Sequence, residues 1–219
     1  MPIRFDEDLS RLKKNVLTMG AMAQGMIRDT IAALVDRNEA HIRSVLETEK
    51  KMDAFQREVD NETVRLIGVY TPVAVDLRML LMITRINAEL ERIGDQTVTN
   101  CYSYQDLKIL EEPPLKPLVD LPSMAALAQE MLRKALDAFG RSSAEESQVV
   151  IQSDTQVDRL NDQIFKDLLS HMVGDAQNTR RGLGLILAAR GFERIADHAV
   201  NIAEDVIYIV RGEDIRHVS

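Results

Sequence analysis

Apolar residues recur along this chain at steps of three and four, with polar residues filling the positions between, a pattern that predicts helices. In the first half the spacing predicts one helix from about Asp6 to Asp36 and a second from Asn38 to about Gly68. A third follows "YTP", with Thr71 as its cap and Pro72 at the first helical position, where a missing N–H costs nothing. In the second half a helix starts near Pro122 and ends near Gly140. Ser143 and Glu146 then form a capping-box pattern, and the helix they open runs to the loop "GDAQN". The last helix spans about Thr179 to Val210 and is stopped by Gly212. Short connections between long consecutive helices imply antiparallel neighbours. The predicted fold is therefore all-α, with the periodic Leu, Ile and Met positions as core.

The stretch "EEPPLKPLVDLP" (Glu111 to Pro122) holds four of the six prolines and interrupts the helical pattern. It divides the chain into an N-terminal three-helix bundle over 1–111, a Pro-rich linker over 112–122 and a C-terminal three-helix bundle over 123–219. The two halves also share residues. At an offset of 105, Met19 falls on Met124, Gln24 on Gln129, Met26 on Met131, Arg28 on Arg133 and Asp53 on Asp158. After a three-residue loop difference the offset is 102, and "ERIGD" (91–95) lies on "ERIAD" (193–197). An internal duplication accounts for both matches.

Composition narrows the function classes. A net charge of −8 and a pI near 5.1 argue against nucleic acid as a partner, since phosphate binding needs a basic field. Cys101 is the sole cysteine, which leaves no intrachain disulfide and no thiolate metal cage. The first residues lack the apolar core of a secretion signal. The densest apolar cluster, "MLLMI", is far shorter than a membrane span and is flanked by Arg78 and Arg85. A cytoplasmic protein that meets membranes only through partners is expected.

The acidic residues are not scattered. At 100° per residue, Glu193, Asp197, Asn201 and Glu204 fall at about 0, 40, 80 and 20 degrees, one narrow stripe. Glu91 and Asp95 repeat the first two positions, but Thr99 and Tyr102 take the next two. On the middle helices Glu49 and Asp53 are spaced i, i+4, as are Asp154 and Asp158 at offset 105. If the middle and last helices of each bundle are neighbours, four carboxylates converge in each half. Such hard oxygen ligands suit Mg²⁺, Mn²⁺, Ca²⁺ or iron better than copper or a structural zinc. A plainer alternative is a solvated face, in which Arg92 pairs with Asp95 and Arg194 with Asp197 at i, i+3. No Glu-x-x-His pair of the di-iron bundle type is present. His198 is expected to be a surface or packing residue, and His41, His171 and His217 surface. "RGLGL" (181–185) lacks the lysine of a phosphate loop.

The paired "ELERIGD" (89–95) and "FERIADHAVNIAEDVIYIV" (192–210), with "TPVAVDLR" (71–78) before the first, resemble the PhoU family of phosphate-transport regulators. The resemblance covers essentially the whole chain. It implies a non-enzymatic cytoplasmic regulator that connects the phosphate ABC transporter, through its ATPase subunit, to a sensor histidine kinase. Such a regulator limits uptake and helps repress the starvation response, and many members are homodimers. It also implies multinuclear clusters of iron or other metals (zinc, manganese, magnesium or calcium) on the paired acidic motifs. By position, Glu91 and Asp95 match the first motif, and Glu193 and Asp197 the second, extended by Asn201 and Glu204. Asp53 and Asp158, with Glu49 and Asp154 one turn earlier, match the acidic positions of the middle helices. Thr99 departs from the family's Asn, so the C-terminal site is expected to hold metal more tightly. The alternative is a metal-free adaptor whose acidic stripes dock basic partner surfaces.

Overall fold

The computed structural model describes residues 3–216, so His217 lies outside the described residues. Six long helices follow one another: α1 (Ile3–Val35), α2 (Glu39–Tyr70), α3 (Ala74–Asp106), α4 (Asp120–Arg141), α5 (Ala144–Gly174) and α6 (Thr179–Arg211). A single 3-10 turn, Ala176–Asn178, sits in the loop before α6, and no strand occurs among the described residues. None of these helices is long and apolar enough to cross a membrane.

Several predicted punctuation marks act as the sequence suggests. Asn38 caps α2 by accepting from the Ala40 N–H at 2.9 Å. Ser143 Oγ accepts from the Glu146 N–H at 3.2 Å, while the Glu146 carboxylate turns to Arg141 instead of closing the box. Gly212 ends α6 at φ 73, the left-handed region that glycine enters freely. Thr71 does not cap α3. Helix α2 runs past Gly68 to Tyr70, whose ring packs edge-on against Phe5 at 5.2 Å and whose hydroxyl donates to Asp8. That anchoring to α1 outweighs the weak helix preference of Gly68. Thr71 is thereby drawn into the left-handed cap of α2, and α3 begins only at Ala74, without a side-chain cap.

Helices α1, α2 and α3 pack on one another, as do α4, α5 and α6, giving a bundle from each half. The halves join along α3–α6 and α1–α4. Helices α3 and α6 are antiparallel: Arg78 reaches the Ile209 carbonyl near one end, and the Asn100 amide reaches the Ala188 carbonyl farther along. Across α1–α4 the duplicated pair meets itself, with Gln129 donating to the Gln24 carbonyl at 3.0 Å. Close approach at the seam needs glycine at 191, where a Cβ would overlap the buried Asn100 amide. Fully buried Phe139, Phe192, Leu12 and Leu80 are among the core residues, each contributing roughly 1.5–3 kcal/mol on burial. The irregular connection spans residues 107–119, earlier than the predicted linker, and it is tied down as a strap. Arg37 donates to the Leu110 carbonyl, Arg181 to the Pro113 carbonyl, and Lys116 pairs with Asp120 and Asp167.

Candidate metal centre

The neighbouring middle and last helices of each half bring their acid pairs together. In the N-terminal half, Glu49 and Asp53 on α2 face Glu91 and Asp95 on α3. Burial, then the Asp53 and Asp95 charges, push Glu49 above the usual carboxylate range. Burial also raises Glu91, with Asp95, Asp53 and Glu49 adding to it. In the C-terminal half, burial raises Asp154, and so do Asp158 and Glu193. Asp197 is pushed up to about 6 by desolvation, then by Glu193, Asp154 and Asp158. Each half thus holds a quartet of mutually repelling carboxylates drawn from two helices.

None of these eight carboxylates makes a hydrogen bond or ion pair among the described residues. The arginine pairs of the plainer alternative do not form, although Asp95, Asp158 and Asp197 are exposed to solvent. Arg92 pairs at 2.8 Å with Glu89, not with Asp95, and Arg194 pairs with neither Glu193 nor Asp197. Asp154 adds a second sign of a missing partner, since its Oδ1 is buried without a hydrogen bond. An all-oxygen donor set with an orphaned buried carboxylate oxygen fits a hard cation. Among the described residues, no three His, Cys, Asp or Glu side chains already meet at ligand spacing. Closing a quartet on an ion therefore takes rotation of its side chains.

The rest of the predicted stripe goes elsewhere. Asn201 donates to Glu89 Oε2 at 2.9 Å, across the seam to α3. Glu204 lines a cavity on that same seam, with Arg85, Arg92 and Arg216. The 80° between Glu193 and Asn201 turns Asn201 from the α5 side of α6 towards its α3 side. His198 is a packing residue, its Nδ1–H donating to Glu89 Oε2 at 2.8 Å. His41 is half-buried 3.3 Å from Asp36, and His171 Nδ1 is paired with the Asp167 carbonyl.

Sequence reasoning missed three buried acids, Asp8, Glu89 and Asp205, of which the last two lie on the α3–α6 seam. Glu89 is 8% exposed; burial pushes it up, but the hydrogen bonds from His198 and Asn201 outweigh this and hold it below the usual range. Asp205 is 1% exposed, and neither carboxylate oxygen makes a hydrogen bond. Arg85 stands 3.4 Å away and Arg216 3.7 Å. Both acids sit among apolar residues, Asp205 within "DVIYIV", and that mismatch with the helical pattern was the available signal. Burial pushes Asp205 up to about 7 against the pull of Arg85. The folded state therefore holds this proton more tightly than the unfolded chain. The stabilisation is complete below about pH 4 and is lost as pH rises towards 7, up to about 4 kcal/mol. Asp205→Asn is expected to flatten the fall in stability between those limits and to gain stability at pH 8. Urea denaturation at several pH values measures it, and an unchanged slope in the variant would refute the assignment.

The PhoU domain profile matches the chain twice, over residues 16–102 and 121–206. The chain belongs to the PhoU family. The PhoU homolog of Pseudomonas aeruginosa, a phosphate-specific transport system accessory protein, is 34% identical over 216 residues, covering 98% of this chain and 88% of that protein. The Escherichia coli K12 accessory protein PhoU is 33% identical over 215 residues, with the same coverage of both chains. The crystal structure of PhoU from P. aeruginosa superposes with a TM-score of 0.90 over 95% of this chain and all of that one, at 34% identity. PhoU from Streptococcus pneumoniae, at 23% identity and a TM-score of 0.87, shares the fold over 96% of this chain and 99% of its own. Membership confirms the all-α, twice-repeated architecture and makes this PhoU chain an accessory protein rather than an enzyme.

Proposed function

We propose that this PhoU chain is a metal-binding adaptor of the phosphate transport system. It links the transporter's ATPase subunit to a phosphate-sensing histidine kinase and restrains phosphate uptake when phosphate is plentiful. The accessory role follows its relatives, which are named accessory proteins of that system. The metal role rests on one observation: eight carboxylates gathered in two quartets that make no hydrogen bond or ion pair among the described residues. Glu49, Asp53, Glu91 and Asp95 would hold one group of ions, and Asp154, Asp158, Glu193 and Asp197 the other. Iron is the first candidate, with manganese, magnesium, calcium or zinc as substitutes. A bound cation cancels the repulsion within a quartet and ties its two helices together, fixing the surface offered to partners. The adaptor acts in the cytoplasm, as a homodimer.

A metal-free reading rests on a different observation: among the described residues, no three ligands already converge. In it, the quartets attract basic partner surfaces directly, and binding weakens with salt but survives chelation. Uptake of radiolabelled phosphate in the organism that encodes the chain tests the function. Deleting the gene is expected to raise uptake under phosphate plenty, and the wild-type chain to bring it back down. A chain carrying Asp53→Asn, Asp95→Asn, Asp158→Asn and Asp197→Asn is expected to fail. Unchanged uptake on deletion removes the regulator; full rescue by the fourfold variant removes the quartets from its action.

A further inference from the structure

Glu89 stands in the N-terminal half, two residues before Glu91, yet it bonds to the other half. At 100° per residue it lies about 160° round α3 from Glu91, so Glu91 faces α2 while Glu89 faces α6. Its Oε2 accepts from His198 Nδ1 at 2.8 Å and from Asn201 Nδ2 at 2.9 Å. Its Oε1 accepts from Arg92 at 2.8 Å, which leaves the buried carboxylate held on both oxygens. The two donors on α6 flank the C-terminal acid pair. With Glu193 at 0° and Asp197 at about 40°, Asn201 lies at about 80° and His198 at about 140°. A single oxygen of α3 thus grips α6 on the flank beside its acid stripe. Any rotation of α6 that swings Glu193 and Asp197 away from α5 breaks both bonds.

The two halves brace their last helices differently. In the N-terminal half, Asn87 on α3 donates to the Gln56 carbonyl at 3.0 Å and to Asp60 at 2.9 Å, a direct tie to α2 one turn from Glu91. Through the duplication, Asn87 falls on Ala189 and Asp60 on Phe165, so α6 lacks that tie to α5. At the seam the difference runs the other way. Glu89 falls on Gly191, which has no side chain and whose space the Asn100 amide fills. The N-terminal quartet is braced from within its own bundle, and the C-terminal quartet from α3 of the other.

We propose that Glu89 is a positioning residue for the C-terminal quartet, holding Glu193 and Asp197 turned towards Asp154 and Asp158. It touches no ion itself, and the proposal rests on the metal reading of the quartets. Without a cation the four carboxylates repel one another, which favours turning the α6 pair outwards. The hydrogen bonds from His198 and Asn201 to an ionised carboxylate are strong and directional, and they oppose that turn. Ligands held in place from behind close on an ion at lower cost, as partners that orient metal ligands without touching the metal do.

Calorimetric titration of the full-length chain with Mn²⁺ tests this, with the C-terminal phase identified by its loss in Asp154→Asn with Asp197→Asn. Glu89→Ala is expected to weaken that phase about tenfold or more. The phase of Glu91 and Asp95, on the helix that carries Glu89, is expected to stay within about twofold. Glu89→Gln, whose amide oxygen still accepts from His198 and Asn201, is expected to restore most of the lost affinity. His198→Leu removes one of the two bonds without emptying the seam and is expected to weaken the same phase by a smaller factor. It carries the test if circular dichroism shows Glu89→Ala unfolded. An unchanged C-terminal phase, an equal loss in both phases, a loss confined to the N-terminal one, or no rescue by glutamine overturns the proposal. A wild-type chain that binds no Mn²⁺ overturns the metal reading and this proposal with it. Two wild-type phases that Glu89→Ala leaves intact overturn this proposal alone.

Discussion

Gly191→Val is expected to lower the unfolding free energy by about 4 kcal/mol, the largest stability loss among the substitutions considered. A side chain at 191 overlaps the Asn100 amide, which is buried on α3 and bonded to the Ala188 carbonyl. Asn100 cannot swing into solvent, so α3 and α6 must part or the amide must lose its partner. Overpacking costs about 1–3 kcal/mol, and a buried amide left unpaired costs about 1–3 kcal/mol more. The seam is also the main contact between the two halves, so the loss spreads across both bundles. Urea denaturation followed by circular dichroism reads the effect. A loss under about 1 kcal/mol would show that the seam is more yielding than its packing implies.

The second large effect concerns the C-terminal quartet. Asp154→Asn with Asp197→Asn is expected to weaken Mn²⁺ binding there on the order of 100-fold or more, since even outer-shell partners of metal ligands contribute 10- to 100-fold. Asn keeps the shape while removing the charge, so the helices should remain in place. Removing charge from this quartet also relieves repulsion, because burial and neighbouring acids raise both Asp154 and Asp197. The variant is therefore expected to be at least as stable as the wild type without metal, while losing the extra stability that Mn²⁺ confers. The matching pair in the other quartet, Asp53→Asn with Asp95→Asn, is expected to remove the weaker of two binding phases. Calorimetric titration distinguishes the phases. A single phase untouched by either pair would place the ions elsewhere.

Much of this was legible in the chain. Apolar spacing sets six helices because each buries one face, and Ser143, Asn38 and Gly212 mark ends through local chemistry that tertiary contacts do not override. The quartets were legible because the duplication supplies a second copy of each acid pair; one copy alone reads as a solvated face. What was not legible depends on neighbours. Thr71 looks like an N-cap until Tyr70 packs on Phe5 and extends α2. Asn201 looks like a continuation of the Glu193 stripe until α3 lies beside it and Glu89 takes its amide. Helical angle says which way a side chain points, but not which helix stands there. The linker shows the same limit from the other side: its prolines mark an interruption, yet nothing local reveals that Arg37 and Arg181 hold it from opposite halves.

The central claim is that the two carboxylate quartets hold metal ions, and elemental analysis tests it most directly. Untagged wild-type chain and the Asp53→Asn, Asp95→Asn, Asp158→Asn, Asp197→Asn variant are purified side by side from the native host without chelator. The account predicts bound metal, iron foremost, in the wild type and little in the variant. Equal metal content in the two proteins would contradict it.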